Sequence, residues 1–279
     1  VCDIAESEGL ASVVVTFDRH PASVVRPESA PALLTDLEQK LELLTDTGVD
    51  ACLVITFDHE RSTEPAAEFV YEVLVDGLQC KTVIVGEDFH FGHQRQGNVI
   101  LLEEIGAEAG FEVRGLSLVG VDGQPAGDRD QVSSTAIRAA LASGSVAEAN
   151  RLLTRPYEVR GFVRGGDQRA RGLGFRTANV AVPEEILLPA DGVYAGWYER
   201  PNGDVHMAAI SLGTRPTFYA EDGKLLLEAH LLDFDGDLYG ERAHVKFVEV
   251  LRGQVKFDGI EALKDQLHLD IAATRRSLG

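Results

Sequence analysis

Apolar residues follow two different rhythms along the chain. In the first half, SVVVTF (12–17), ACLVITF (51–57) and KTVIVG (81–86) are apolar nearly throughout. Runs of that kind suit strands covered on both faces. FEVRGLSLV (111–119) alternates more and is bounded by turn residues. Between the runs the period is helical. Leu34, Leu37, Leu41 and Leu44 share one face, and Thr35 with Glu38 predicts a capping box. Pro65 opens a second helix carrying Phe69, Val70, Val73 and Leu74, and NVILLEEIGAEAG (98–110) supplies a third. Alternating strands and helices predict a parallel sheet with helices on its faces. Two short helices follow, STAIRAALASG (134–144) and SVAEANRLL (145–153), the second with Ser145 and Glu148 as a capping box.

After Arg155-Pro156 the rhythm becomes strand-like. YEVRGFVRG, GVYAGWYER, VHMAAISLG, KLLLEAHLLDF and RAHVKFVEVL are separated by turns such as PNGD (201–204) and DFDGD (233–237). That spacing predicts a sandwich or a small closed barrel. A final helix, about 259–276, places Ile260, Leu263, Leu267 and Ile271 on one face. The pattern therefore divides the chain into an α/β domain, residues 1–154, and a β domain, 155–279, closed by a helix.

At 279 residues each half is long enough to bury its own core. The net charge of −19, from 26 basic and 45 acidic residues, argues against a nucleic-acid binder and against adsorption to anionic lipid. No apolar run approaches the roughly 20 residues that span a bilayer. Cys2, Cys52 and Cys80 form no CxxC pair and read as reduced thiols of a cytoplasmic protein. The chain begins at Val in a short acidic stretch that reads as the tail of a helix, which predicts a fragment.

The chemistry concentrates in the second half. GFVRGGDQRARGLGFRTAN (161–179) holds five glycines in 19 residues, then a hydroxyl and an amide. Glycines let successive N–H groups approach phosphate oxygens, and Thr177 and Asn179 offer oxygens to Mg²⁺. The competing reading is a glycine-rich barrel corner, since no Walker A lysine is present. Glu228 is a carboxylate in an apolar strand, sharing one face with Leu226, His230 and Leu232 while Leu227, Ala229 and Leu231 take the other. Facing a barrel interior or its mouth, it would suit general-base work. On an edge strand it is a solvent-facing glutamate.

These motifs together resemble the bacterial bifunctional riboflavin kinase/FMN adenylyltransferases (FAD synthetases). The likeness runs over essentially the whole chain. DGVYAG (191–196), SLGTRPTF (211–218) and LEAHLLDFDGDLYG (227–240) stand nearly as that family writes them. The resemblance implies a Rossmann-like nucleotidyltransferase domain followed by a closed β-barrel kinase. It implies phosphorylation of riboflavin to FMN, adenylylation of FMN to FAD, and ATP with Mg²⁺ as the phosphoryl donor. It assigns Thr177 and Asn179 to Mg²⁺–ATP, and Glu228 to the base that activates the ribityl hydroxyl. Gly161, Asp167, Arg169 and Gly174 are further candidate nucleotide contacts, and Arg252 and Phe257 candidate flavin or loop contacts.

In the first half the resemblance rests on TFDRHP (16–21), GEDFHFGHQRQGN (86–98) and VSSTAIR (132–138). It implies nucleotide contacts for Phe17 and His20, and flavin contacts for Asp88 and Phe89. Ser133, Ser134 and Thr135 open a helix whose N-terminus suits triphosphate oxygens, with Arg138 one turn on. As a bare pattern, Ser-Ser-Thr is simply an N-cap. The sequence departs from the family in several places. Arg19 and Arg176 stand for prolines, Gln168 and Ala170 for glycines, and no His-x-Gly-His follows a first strand. HFGH (90–93) spells that motif inside a later signature and is read as coincidence. The expectation is a family motif before residue 1, weak adenylylation and a weakened kinase. Two alternatives stay open: a kinase with a degenerate first domain, and a non-catalytic flavin or nucleotide sensor. The oligomeric state is not legible.

Overall fold

The computed structural model describes residues 1–117, 119–126, 131–165, 175–213 and 226–279. They form two units, Val1–Gln131 and Val132–Gly279. In the first unit β1 (Val13–Phe17) pairs in parallel with β2 (Ala51–Ile55), and β3 (Thr82–Gly86) in parallel with β4 (Glu112–Leu116). The apolar runs are covered as expected: Ile55, Val70, Val73, Leu74, Leu102, Ile105 and Phe111 form a buried core, against which Val15, Leu53, Val83, Val85 and Val113 pack.

The helices start where side chains cap them. Asp36, rather than Thr35, accepts from the Gln39 N–H at 2.7 Å and begins the helix Leu37–Thr45. Asn98 accepts from Leu101 N–H at 3.0 Å at the start of Val99–Ala109. An aspartate or asparagine carbonyl oxygen reaches the N3 amide as well as a threonine hydroxyl does, so the cap moved by one residue. The expected box at Ser145 is also absent. That serine begins the helix Val146–Leu153 with no side-chain cap bond and contacts Ser143 Oγ at 3.1 Å.

The second unit begins earlier than residue 155. The helices Ser134–Ala142 and Val146–Leu153 belong to it. Asn150 donates to the Phe247 carbonyl at 2.8 Å and accepts from Tyr157 N–H at 2.7 Å. The Leu141 carbonyl accepts from Ala190 N–H at 3.0 Å. These bonds fasten the helical segment to the strands that follow it, which a change of rhythm at residue 155 does not reveal.

Six antiparallel strands close into a barrel: β5 (Tyr157–Arg164), β6 (Ala178–Ala181), β7 (Gly192–Glu199), β8 (Val205–Gly213), β9 (Leu226–Leu231) and β10 (Arg242–Arg252), in the order β10-β5-β6-β9-β8-β7. Alternation fills the interior with Tyr157, Val159, Val180, Tyr194, Ile210, Leu227, Ala229 and Phe247, all buried. Tyr157 keeps its hydroxyl satisfied by donating to the Leu187 carbonyl at 2.6 Å. Closure requires glycine at two crowded points. A Cβ on Gly161 would overlap the Ala181 carbonyl, and one on Gly196 the Lys246 carbonyl.

The last helix, Ile260–Leu278, packs on β7 and β8. Its apolar stripe is only half-buried and Ile260 is 59% exposed, whereas Asp270 and Thr274 are its buried positions. Polar anchoring, rather than a greasy face, docks this helix.

Candidate active site

The antiparallel register gathers the barrel candidates. Asn179 on β6 lies opposite Glu228 on β9, and Glu228 lies opposite Ser211 on β8. Ser211 in turn pairs with Val193, and Val193 with Arg252 on β10. Directly opposed residues share a face, with Cβ atoms about 5 Å apart. Leu227, Ala229 and Leu231 fill the interior, so Glu228 and its row lie on the outer face of the barrel. Glu228 is half-buried there; the interior position considered for it is taken by its apolar neighbours.

Asn179 is distinctive in this row. Its side-chain oxygen is buried and has no hydrogen-bond partner among the described residues. An acceptor left so costs about 1–3 kcal/mol, and it suits a donor or a hard cation brought by a ligand. Thr177 stands two positions before Asn179 and is half-buried. Among the described residues no cluster of three His, Cys, Asp or Glu side chains could cage a metal ion. The oxygens of Asn179 and Thr177 therefore fit an ion that arrives with phosphate ligands of its own, as Mg²⁺ commonly does.

The strand carrying these groups is held from both sides. The ladder pairs Ala178 with Ala229. In front of it, His230 Nδ1 bonds the Arg176 carbonyl at 2.7 Å, and Phe175 packs edge-on against His230 and His268 at 5.8 and 5.1 Å. The Arg176 guanidinium pairs with Asp235, and both side chains are largely exposed. On the far side of Glu228, Gln254 donates to Ser211 Oγ at 3.1 Å and to the Leu212 carbonyl at 2.6 Å. Ser211 and His230 lie inside the quoted motifs and Gln254 outside them, and nothing in their spacing singled them out; the register and the hydrogen bonds do.

Two candidates have structural employment. Arg252 forms a two-bond pair with Asp270, Nε to Oδ1 at 2.9 Å and Nη2 to Oδ2 at 2.7 Å, and donates Nη1 to the Gly253 carbonyl at 3.0 Å. Its guanidinium also lies 5.8 Å from the Phe257 ring centre. The pair ties β10 to the last helix. Gly161 belongs to the inward-facing set of β5, where a Cβ would meet the Ala181 carbonyl and the Val180 side chain of β6. Asp167, Gln168, Arg169, Ala170 and Gly174 lie outside the described residues.

In the first unit, Phe17 is packed edge-on to Phe57 at 4.9 Å and its carbonyl accepts from Lys40 Nζ at 3.0 Å. Asp18 accepts from Phe57 N–H at 2.9 Å and pairs with Arg19. Arg19 and that amide hold the Asp18 carboxyl below the ordinary carboxylate range. His20 Nδ1 accepts from Ala22 N–H at 3.1 Å, closing the turn into a short helix. Beyond β3, a cavity of 370 Å³ is lined by Glu87, Asp88, Ser117, Pro125, Ala126 and Gln131. Phe89 is 38% exposed and stacks on Phe91, with ring centres 5.4 Å apart. His90 and His93 turn their Nδ1 atoms to the carbonyls of Asp88 and Ser62, at 2.7 and 3.2 Å, which gives each imidazole a local backbone partner.

Ser133, Ser134, Thr135 and Arg138 fall in the compact unit Val132–Gly279. Ser133 Oγ accepts from Ala136 N–H at 3.2 Å, so it caps its own helix. Ser134 and Thr135 are exposed on its first turn, where amides lack intrahelical partners.

Comparison with known proteins gives a consistent result. The riboflavin kinase family profile matches residues 153–278, and the FAD synthetase profile residues 1–136. A bifunctional riboflavin kinase/FMN adenylyltransferase from Pseudomonas fluorescens is 40% identical over 96% of this chain and 83% of its own. One of the same description from Listeria monocytogenes is 39% identical over 98% of this chain and 84% of its own. A solved structure described as a macrolide-efflux protein from Streptococcus pneumoniae superposes with a TM-score of 0.83 at 29% identity, over 98% of this chain and 86% of that one. The fold likeness to it is close. Among the described residues no helix is long and apolar enough to cross a membrane.

Proposed function

The chain belongs to the bifunctional riboflavin kinase/FMN adenylyltransferase family, transferases of flavin cofactor biosynthesis, and from that premise we propose which residues carry its two reactions. Phosphorylation of riboflavin takes place on the outer face of the barrel, at the row Asn179–Glu228–Ser211. One observation carries this reading: the buried, partnerless oxygen of Asn179 directly across the ladder from Glu228.

A primary alcohol is a weak nucleophile, and phosphoryl transfer needs positioning and charge neutralisation more than covalent help. Glu228 accepts a hydrogen bond from the ribityl 5′-hydroxyl, orients its oxygen, and takes the proton as the oxygen attacks the γ-phosphorus and the bond from that phosphorus to the bridging oxygen of ADP breaks, releasing ADP. Thr177 and Asn179 present oxygens to Mg²⁺–ATP, where the bound ion neutralises phosphate charge. Gln254 holds Ser211 beside the base and keeps that flank of the row fixed. The cavity lined by Glu87, Asp88, Ser117, Pro125, Ala126 and Gln131 takes the flavin in the adenylyl transfer. Three free cysteines fit a cytoplasmic setting.

The direct test incubates the protein with riboflavin, ATP and Mg²⁺ and separates products by chromatography. FMN that disappears in Glu228→Gln while MgATP still binds supports the assignment. Unchanged FMN formation in that variant refutes it.

A further inference from the structure

We propose that His230 is a positioning residue for nucleotide binding in the barrel: it clamps the chain in front of Thr177 by a hydrogen bond to the Arg176 carbonyl. The inference rests on the reading of Thr177 and Asn179 as contacts of MgATP.

The backbone pairing of β6 with β9 runs Val180–Leu227, Asn179–Glu228 and Ala178–Ala229, and stops there. β9 itself continues, because His230 and Leu231 pair with Ala209 and Ala208 of β8. Thr177 therefore stands just past the end of its own ladder, beside a strand that remains fixed. The His230 side chain takes over at that point. Its Nδ1 lies 2.7 Å from the Arg176 carbonyl oxygen, a distance at which Nδ1–H donates. Thr177 is thus restrained on one side by the Ala178 ladder and on the other by an imidazole.

The imidazole is itself held. Phe175 is 7% exposed and meets His230 edge-on at 5.8 Å and His268 of the last helix at 5.1 Å. His230 is two residues from Glu228 on the same strand, so both side chains project from the same outer face. The clamp and the base share one rigid element, which fixes Thr177 relative to Glu228. Neutral Nδ1–H imidazole and imidazolium both donate this bond, so its geometry does not depend on the charge of the ring.

Loss of the clamp leaves the Asn179–Glu228 ladder in place and frees the segment at Thr177. Nucleotide binding must then order that segment, which weakens MgATP without altering the base. Asparagine at 230 offers an amide N–H near the position of Nδ1, whereas leucine offers none.

Steady-state FMN formation by the intact protein, with MgATP and riboflavin varied separately, tests this in His230→Leu, His230→Asn and Asn179→Ala. The expected result is a rise in KM for MgATP of about ten-fold in His230→Leu, with kcat and the riboflavin KM within about two-fold and recovery in His230→Asn to within about three-fold. The clamp is overturned by an unmoved MgATP KM in His230→Leu, by His230→Asn as impaired as His230→Leu, or by riboflavin KM and kcat worsening in step. Asn179→Ala separates the two levels. A raised MgATP KM there with none in His230→Leu removes the clamp alone. An unmoved value in Asn179→Ala removes the nucleotide reading, and the clamp with it.

Discussion

Asn179 and Glu228 face each other across the β6–β9 ladder, one with a buried carbonyl oxygen that no described residue satisfies, the other a half-buried carboxylate. Glu228→Gln keeps the size and the hydrogen-bonding reach but cannot take a proton. Its rate of FMN formation should fall by about 10²–10⁴-fold while the KM for MgATP stays nearly constant. Initial rates by chromatography decide it; a loss confined to KM would make Glu228 a binding group only.

Arg252 and Asp270 offer a contrasting case, because their charges satisfy each other between β10 and the last helix. Asp270 is only 4% exposed, and Gln266 donates to the same carboxylate at 2.9 Å. Removing one partner of such a pair strands a charge, so Asp270→Ala should lose about 3 kcal/mol in urea unfolding. The KM for riboflavin, measured where the variant is still folded, should hold. A riboflavin defect at unchanged stability would return Arg252 to the flavin site.

Gly161 makes a steric prediction. A methyl group there meets the Ala181 carbonyl and the Val180 side chain, both parts of the neighbouring strand. Gly161→Ala should cost about 1–3 kcal/mol, read as a lower unfolding midpoint. If stability is unchanged and only the MgATP KM rises, the glycine serves a ligand rather than the closure of the barrel.

The β character of the second half was legible because long apolar strands divided by turns survive any detail of their pairing, while the choice of barrel over sandwich came from the family resemblance. β6 was harder to read as a strand: four residues after a glycine-rich segment carry too little periodicity. Its importance surfaced through Thr177 and Asn179 as residue types, not through pattern. Glu228 was recognisable as an odd carboxylate, but its face was not. Parity divides a strand into two faces without saying which one meets the core, and here the apolar face is the inner one. The Arg252 pair was invisible for a related reason, since an arginine does not announce that an aspartate 18 residues on will meet it. The packing of the helices of 132–153 against the barrel was not legible, because side-chain bonds such as those of Asn150 leave no rhythm behind.

Arg176 stands just before Thr177, where the family resemblance leads one to expect proline. Its carbonyl is the atom that His230 holds, and proline keeps that carbonyl. The exposed pair with Asp235 adds little, as surface pairs generally do. Proline would restrict the chain before nucleotide binds, so Arg176→Pro should lower the MgATP KM by about two- to five-fold. Equal KM values in the two proteins would show that the arginine costs nothing.

Asp18 supplies the pH dependence of the first unit. Its carboxylate accepts the Phe57 amide and pairs with Arg19, so the ends of β1 and β2 are joined by a charged acceptor. Both contacts favour the ionised form and depress the folded-state pKa. A depressed carboxyl contributes stability above its unfolded value, about 3.9, and loses it as the pH falls through the lower folded value. Asp18→Asn preserves an acceptor for the amide and removes the charge. At pH 7 the wild-type first unit should therefore resist urea better than the variant, and the gap should close as the pH drops below about 4. Phe57 and Phe17 lie in the same packed cluster, so amide hydrogen exchange at the ends of β1 and β2 reports this unit separately from the barrel. A gap of equal size at pH 7 and pH 3 would mean that the bond acts through shape alone.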